Sequence, residues 1–312
     1  MNSTCPLAYR YGAKSIKSLE AVETDTLYVV GGLYGNPHAL DTVIQLVSTE
    51  KHPARLCFNG DFHWFDIAPD QFLKIQQGVS QHDAICGNVE YELGAENYSG
   101  DCGCSYPDSV APEIVERSDA IHRRLSETAR QFPDAIRYFS QLPMFSKYTI
   151  AGTLVAVIHG DADSLAGWNF DYSMIDTANV QSWAEKSFML AGVDVFASSH
   201  TGSALMRNFV ADEKAKLIVN NGSAGSPNFS KAIHGVVTRI SRDRYEGESL
   251  ACRRIGTTWI DALPIRYDQD AWLNDFLHQW PEGSDAYVSY WKKIKQGPDY
   301  LTNQAYKATP VS

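Results

Sequence analysis

Five short segments of the sequence combine glycine with Asp, Asn, His or Tyr, and each follows a predicted strand. They are, in order, GGLYGNPHAL (31–40), NGDFHWFD (59–66), CGNVE (86–90), IHGD (158–161) and SSHTG (198–202). Any one of them alone is typical of a strand-end turn or a buried histidine. Parallel strands deliver side chains to a common site at their carboxyl ends, so the ordered set predicts one shared site.

The elements that must position this site alternate between strands and helices. TLYVVGG, ARLCFNGD and DAICGN are β-rich runs, and NPHALDTVIQLVSTE and PDQFLKIQQGVSQ have helical patterns between them. MFSKYTIAG and TLVAVIHGD predict a hairpin, and NVQSWAEKSFMLAG predicts a helix. DVFASSH, LIVNNGSAG, GVVTRIS and CRRIGTTWIDALPI predict one strand each. This order is typical of an α/β sheet protein.

Two helical segments are added to this pattern. The first is an insertion at about 94–143, containing VAPEIVERSDAIHRRLSETARQF and PDAIRYFSQLP. The second is a C-terminal extension at about 268–312, with helices around Ala271–Trp280 and Asp285–Gln296. Because no Pro/Gly/Ser linker or internal repeat separates the two halves, we expect a single domain over residues 1–312.

Composition restricts the classes of function. The 312 residues are 44% hydrophobic, which is enough for a packed core. No stretch approaches the roughly 20 apolar residues that span a bilayer, and the N-terminus lacks an apolar signal region. We therefore expect a cytoplasmic protein that does not associate with membranes. The net charge of −10 argues against extended nucleic-acid binding and favours a small substrate.

In residue type and order, the five segments resemble the motifs of the calcineurin-like metallophosphoesterases, which run Asp-x-His, Gly-Asp, Gly-Asn-His-Asp/Glu, His and Gly-His-x-His. The similarity extends from about Leu27 to Ile240, includes LIVNNGSAGSPN, and is greatest to the bacterial branch with small, phosphodiesterase-like folds. It implies an αββα four-layer sandwich whose two metal ions, bridged by a carboxylate and a water, activate water for attack on a phosphate ester.

The resemblance assigns the ligands of one metal position. Asp61 matches the bridging carboxylate and Asn88 matches the amide ligand. His159 matches the next ligand, and His200 matches the first histidine of the last motif. One carboxylate oxygen, one amide oxygen and two imidazoles suit Mn, Fe, Co or Zn better than Mg or Ca. We therefore expect one transition metal ion.

The residues unique to the second metal position are replaced. Gly32 stands in place of the family's first Asp, Tyr34 in place of its partner His, and Gly202 in place of the final His. Val89 replaces the His that usually protonates the leaving group. Random decay would have fallen on both sets of ligands, so the pattern indicates a selective loss of one metal position.

Asp61, His63 and Glu90 are the candidate catalytic residues. The roles of His63, Glu90 and Tyr34, which lie near the second metal position, remain open. His63 is a replacement ligand, a general acid near neutrality, or a structural residue. Tyr34 binds a ferric ion as phenolate or, as we expect, packs its ring into the vacated volume. Glu90 hydrogen-bonds another ligand or is solvated.

Other polar residues near these motifs are expected to be structural. Asp161 and Asp163 are predicted to be solvated loop acids, and the segment 220–223 is predicted to support the site from behind. Cys102 and Cys104 form part of an ordered loop or, alternatively, half of a metal site or a redox pair.

Three functional hypotheses follow from the resemblance. The first is a metal-dependent phosphoesterase acting on a small phosphomonoester or phosphodiester, with Asp61 assisting the activation of water. The second is a metal-binding pseudoenzyme or ligand-binding protein on the same fold. The third is a metal enzyme with a different reaction. Losing one ion removes several kcal/mol of transition-state stabilisation, so we expect slow hydrolysis.

Overall fold

A computed structural model describes residues 7–96 and 100–307 of the chain. Small parts of the predicted segments 94–143 and 268–312, namely 97–99 and 308–312, lie outside the described residues. The strands are β1 (Val22–Glu23), β2 (Thr26–Val30), β3 (Ala54–Phe58), β4 (Asp83–Ala84), β5 (Phe145–Ile150), β6 (Thr153–Ile158), β7 (Val195–Ser198), β8 (Leu205–Ala211), β9 (Lys214–Asn220), β10 (Gly235–Ser241), β11 (Ala251–Ile255) and β12 (Thr258–Ile265).

The helices follow the expected alternation with these strands. They are α1 (Ala13–Lys17), α2 (Pro37–Ser48), α3 (Pro69–Val79), α4 (Asn88–Gly94), α5 (Pro112–Ala129), α6 (Pro133–Gln141), α7 (Ala178–Ala191), α8 (Gln269–Gln279), α9 (Asp285–Gln296) and α10 (Thr302–Ala305), after a short 3-10 helix at Leu7–Tyr9. Asn36 begins α2 by accepting hydrogen bonds from the N–H groups of His38 and Ala39, and Pro37 occupies the first turn.

The strands form two six-stranded mixed sheets. One has the order β1-β5-β6-β7-β9-β8, and the other has the order β11-β12-β10-β2-β3-β4. Strands β2, β3 and β4 are mutually parallel, as are β6, β7 and β9. The carboxyl ends of these two parallel groups carry the five sequence motifs.

Alternating side chains pack the sheets into four layers. In β2, Leu27 and Val29 belong to the apolar cluster between the sheets, whereas Tyr28 and Val30 contact the helices outside. In β6, Val155 and Val157 point into the same inter-sheet cluster, and the neighbouring residues pack against α1 and α7. The arrangement is the predicted αββα sandwich.

The predicted helical additions are present. Helices α5 and α6 form the insertion, and α8 and α9 agree with the C-terminal prediction to within about two residues. No helix within 7–96 and 100–307 is long and apolar enough to cross a membrane.

Two strand predictions were incomplete. CRRIGTTWIDALPI is not one strand, because β11 and β12 run antiparallel and turn at Gly256, whose φ is +56°. Strand β8 was not predicted at all. It pairs with β9 along its whole length at the edge of its sheet.

Candidate metal centre

The four predicted ligands follow four different strands and meet at one point. Asp61 lies after β3, Asn88 at the start of α4, His159 directly after β6, and His200 after β7. All four residues are at most 8% exposed. The structure therefore brings together side chains that are as many as 139 positions apart in the sequence, His200 and Asp61 being the most distant pair.

Nε2 of His159 lies at the centre of this group. It is 3.1 Å from Oδ1 of Asn88, 3.2 Å from Nδ1 of His200 and 3.4 Å from Oδ1 of Asp61. Two ligand atoms bound tetrahedrally to Zn²⁺ at ordinary lengths are about 3.4 Å apart. The separations thus fit the coordination shell of a small transition metal ion, and the three charged or basic ligands form one of the described metal-compatible clusters.

Backbone carbonyl groups set the orientation of both imidazoles. Nδ1 of His159 donates to the carbonyl oxygen of Asn59 at 2.7 Å, and Nε2 of His200 donates to that of Cys104 at 3.1 Å. In the neutral rings, the remaining nitrogens are lone-pair donors that point at each other. Asn88 is oriented in the same way, because its Nδ2 donates to the carbonyl of Cys102 and leaves Oδ1 facing the site.

The electrostatics of the site favour a cation. Burial and the neighbouring His159 lower the pKa of His200 to about 3, which keeps its ring neutral. Burial would raise the pKa of Asp61, but His159 and His200 outweigh it and lower that pKa overall. Asp61 therefore stays ionised at neutral pH and places a formally negative group beside the neutral ring of His200.

Glu90 supports the site from behind and does not face the cavity. Its carboxylate accepts hydrogen bonds from the N–H groups of Asp61 at 2.8 Å, Gly87 at 2.9 Å and Phe62 at 3.1 Å. Burial and the nearby Asp61 raise the pKa of Glu90 to about 7. The solvated alternative is wrong, and the residue positions the Asp61 loop, whose φ at Asp61 is +53°.

His63 is not brought to the metal ligands. Its ring is fully buried, stacks on Phe72, and bonds Asp66 through Nδ1 at 2.6 Å and Gln76 through Nε2 at 3.2 Å. Both ring nitrogens are therefore occupied within the core. The predicted role of His63 as a replacement ligand or general acid does not fit this position, and its structural alternative does.

Tyr34 packs its ring beside Gly32 and Gly202, the positions at which the resemblance places ligands of the second metal ion. A Cβ atom on Gly32 would lie 2.9 Å from Cζ of Tyr34, and one on Gly202 would lie 3.4 Å from its hydroxyl oxygen. The ring thus lies between the two glycines that replace metal ligands. Both glycines have positive φ, +54° and +62°, so a side chain at either position would be strained as well as crowded.

The loop containing the two close cysteines holds the ligands in place. The carbonyl of Cys102 accepts from Asn88, and that of Cys104 accepts from His200 and from Nε1 of Trp168. Both thiols are buried and in contact with each other. The loop is ordered, and the sequence did not indicate that its backbone atoms orient two of the predicted metal ligands.

Asp161 and Asp163 both organise the loop. The prediction of a solvated acid is wrong for Asp161, whereas Asp163 is partly exposed. Asp161 is 3% exposed and accepts from the N–H groups of Asp163 and Ser164. Asp163 accepts from the N–H of Ala13 and from Nε1 of Trp183.

The segment 220–223 supports the site as predicted. Ser223 donates to the carbonyl of Gly32, and Asn220 donates to the hydroxyl of Thr201, the residue after His200.

A cavity of about 530 Å³ opens over the predicted metal ligands. Asp61, Asn88 and His200 line its floor, and the helical insertion contributes Ile114 and Arg117 to its wall. The C-terminal helix α9 forms the opposite wall with residues 288–290 and Lys293. Neither Arg117 nor Lys293 carried a sequence signal, because both are basic residues on amphipathic helices with other charged neighbours.

Comparison with known proteins identifies structures that have a similar fold. Neither a protein-family model nor a curated protein matches the sequence. A hypothetical protein from Pyrococcus horikoshii OT3 has a similar structure, with a TM-score of 0.58 at 14% identity over 88% of this chain and 99% of that one. A metallophosphoesterase from Sphaerobacter thermophilus has a TM-score of 0.56 at 13% identity, again over 88% and 99%. The chain therefore has the metallophosphoesterase fold, and the resemblance indicated by its sequence motifs is confirmed at that level.

Proposed function

We propose that the protein is a metal-dependent phosphoesterase that uses one transition metal ion. The observation that carries the proposal is the pair of ring nitrogens, Nε2 of His159 and Nδ1 of His200, which face each other at 3.2 Å. Oδ1 of Asn88 and Oδ1 of Asp61 complete the donor set. This mixed set of nitrogen and oxygen ligands fits Mn, Fe, Co or Zn.

A metal ion held there would polarise a phosphoryl oxygen and lower the pKa of water. The chain itself supplies the orientation of the reactants. Asp61 lies in the cavity floor as a carboxylate and can accept a hydrogen bond from the attacking water. Val89, at the position of the family's proton-donating His, has no proton to give, so the departing oxygen must be stabilised by other groups or have a low pKa.

The substrate class follows from the size and lining of the cavity. A volume of about 530 Å³ lies within the ordinary range for small-molecule sites. Its apolar wall includes Val110, Ile114 and Trp168, which suit the organic part of a small phosphate ester. The substrate proposed is therefore a small phosphorylated molecule.

The test combines metal content with hydrolysis of p-nitrophenyl phosphate and bis(p-nitrophenyl) phosphate, whose leaving group needs no proton donor. Metal-free protein should be inactive, and activity should rise with Mn²⁺ and level off near one ion per chain. His200→Ala should abolish both metal binding and activity. Absence of hydrolysis by fully loaded protein would contradict the proposal, and saturation near two ions would contradict the single metal position.

The second candidate function is ligand binding without turnover on the same metal centre. The replacement of the proton donor by Val89 and the filling of the second position by Tyr34 favour it. Under this alternative, loaded protein would bind phosphate compounds and yet leave both nitrophenyl esters intact.

A further inference from the structure

Lys293 lies in the half of the site where the second metal position is missing. Its Nζ atom is 3.7 Å from the point that a Cβ atom on Gly202 would occupy, and the hydroxyl oxygen of Tyr34 is 3.4 Å from that same point. Gly202 stands in place of a histidine ligand in the resemblance. An ammonium group and a phenol thus adjoin the position of a lost metal ligand.

The C-terminal helix holds Lys293 in this place. On α9, Ser289 and Tyr290 precede Lys293 by four and three residues, so each lies on the same helix face as Lys293, and all three line the cavity. Nε of Arg117 in α5 donates to the hydroxyl of Ser289 at 2.8 Å, which joins the two walls of the cavity. The ammonium therefore projects from a helix that is itself anchored across the site.

The ammonium of Lys293 has no protein partner in the part of the chain that the structure describes. No hydrogen bond or ion pair joins its Nζ to a residue of 7–96 or 100–307, although the side chain is only partly exposed. Burial lowers the pKa of Lys293, because the charged form loses hydration there. A charge held partly away from water without a partner is unfavourable, and an anion in the cavity would remove that cost.

The net charge of the site gives a second reason for a lysine at position 293. Removing a divalent cation together with one carboxylate ligand lowers the charge of a site by one unit. Tyr34 adds no charge, because an ordinary phenol is protonated at neutral pH. The ammonium group of Lys293 restores one unit of positive charge on the same side of the cavity.

We propose that the ammonium of Lys293 replaces the second metal ion as the positive charge that binds the phosphoryl oxygens of the substrate, with the Tyr34 hydroxyl donating beside it. The ligand class is a tetrahedral oxyanion, held between the metal centre and Lys293. The identification of that ligand as a phosphate ester rests on the proposed function.

The experiment measures the affinity of Mn²⁺-loaded protein for inorganic phosphate by titration calorimetry, together with metal content and melting temperature. Lys293→Met should weaken phosphate binding about tenfold to a hundredfold, as expected for loss of one charge-assisted contact, and should leave metal content unchanged. Lys293→Arg keeps the charge and should restore most of the affinity. Lys292→Met is the matched control, because Lys292 is an exposed neighbour on the same helix, and it should bind phosphate like the parent.

Two outcomes would overturn the inference. One is that Lys293→Met and Lys293→Gln bind phosphate as tightly as the parent protein while folded and loaded with metal. The other is that Lys292→Met weakens binding equally, which would indicate a general effect of charge. A protein that binds phosphate through Lys293 but hydrolyses no ester would refute the proposed function and keep the inference. Conversely, the parent protein could hydrolyse the esters while Lys293→Met keeps the parent kcat/KM and phosphate affinity. That result would support the proposed function and refute the inference about Lys293.

Discussion

Nδ1 of His200 lies 3.2 Å from Nε2 of His159, and each ring donates from its other nitrogen to a backbone carbonyl. Two imidazole lone pairs that face each other repel unless a cation lies between them. A proton on His159 can do this in the metal-free protein, since Asp61 raises the pKa of His159 despite the opposing effect of burial. A metal ion would do the same, and Asn88 and Asp61 would also bind it.

Replacing either histidine should release the metal. We expect His159→Ala and His200→Ala each to lower metal affinity by at least about tenfold to a hundredfold, because one of four ligands is lost. Elemental analysis after dialysis against a weak chelator measures this. His52→Ala changes an exposed histidine and should retain the parent metal content. Retention of one full equivalent of metal in both ligand variants would show that the ion binds elsewhere.

Replacing Glu90 should destabilise the protein before it affects chemistry. Glu90→Ala leaves the buried N–H groups of Asp61, Gly87 and Phe62 without their acceptor, at about 1–3 kcal/mol for each unsatisfied group. We expect a loss of more than about 3 kcal/mol in the free energy of unfolding and weaker metal binding, measured by urea denaturation and elemental analysis.

The exposed Glu116 on α5 provides the comparison, and Glu116→Ala should change the free energy of unfolding by less than about 0.5 kcal/mol. If Glu90→Ala reduced turnover while stability and metal content stayed at parent values, Glu90 would act on the substrate directly and its positioning role would be wrong.

Gly32 and Tyr34 should be energetically coupled. Gly32→Asp alone places a Cβ atom 2.9 Å from the Tyr34 ring and at a φ of +54°, so it should be strongly destabilising. In Tyr34→His, the smaller ring leaves space, and the same Gly32→Asp change should cost at least about 1 kcal/mol less. Urea unfolding of the four proteins in this double-mutant cycle gives the coupling. Additive effects would mean that the ring does not occupy the vacated position.

Tyr34 should give no visible absorption band in the iron-loaded protein. The hydroxyl of Tyr34 adjoins Gly202 and its ring adjoins Gly32, and neither glycine offers a side-chain ligand for a second ion, so we expect the phenol not to bind iron. We expect no visible charge-transfer band in protein reconstituted with ferric iron, and the same spectrum for Tyr34→Phe. A band in the parent that disappears in Tyr34→Phe would establish coordination by Tyr34.

His122 should make the protein less stable in mild acid. It is fully buried on α5, and burial lowers its pKa from 6.5 to about 4. Between these values the unfolded chain binds a proton that the folded chain does not, so stability is lost as the pH falls from about 6.5 towards 4. The loss reaches about 3 kcal/mol.

The measurement compares urea unfolding of metal-free parent and His122→Gln at pH 7.5 and pH 4.5, so that release of metal does not contribute. The variant should show the smaller fall in stability, whereas His52→Gln, which changes an exposed histidine, should behave like the parent. Equal acid sensitivity of the parent and His122→Gln would exclude His122 as the cause.

Through its motifs and their resemblance to those of a known family, the sequence by itself predicted the four-layer fold and four residues that the structure brings to one point. Continuous apolar runs such as TLYVV predict strands buried on both faces, and glycine with a polar residue after each run marks the carboxyl edge of the sheet, where the motifs meet. Tyr34 between two glycines was also predictable, because a large ring beside residues without side chains fills the space that they leave. These are local properties, and they are readable from neighbouring residues.

Only the tertiary structure decided which remaining polar groups belong to the site. His63 is two residues from Asp61, yet its ring turns into the core because Asp66 and Gln76 bind both of its nitrogens there. Lys293 is 93 positions from His200 in the sequence and is indistinguishable from Lys292 by pattern. It reaches the cavity because α9 packs across the carboxyl ends of the strands, and that packing depends on long-range contacts that no local pattern records.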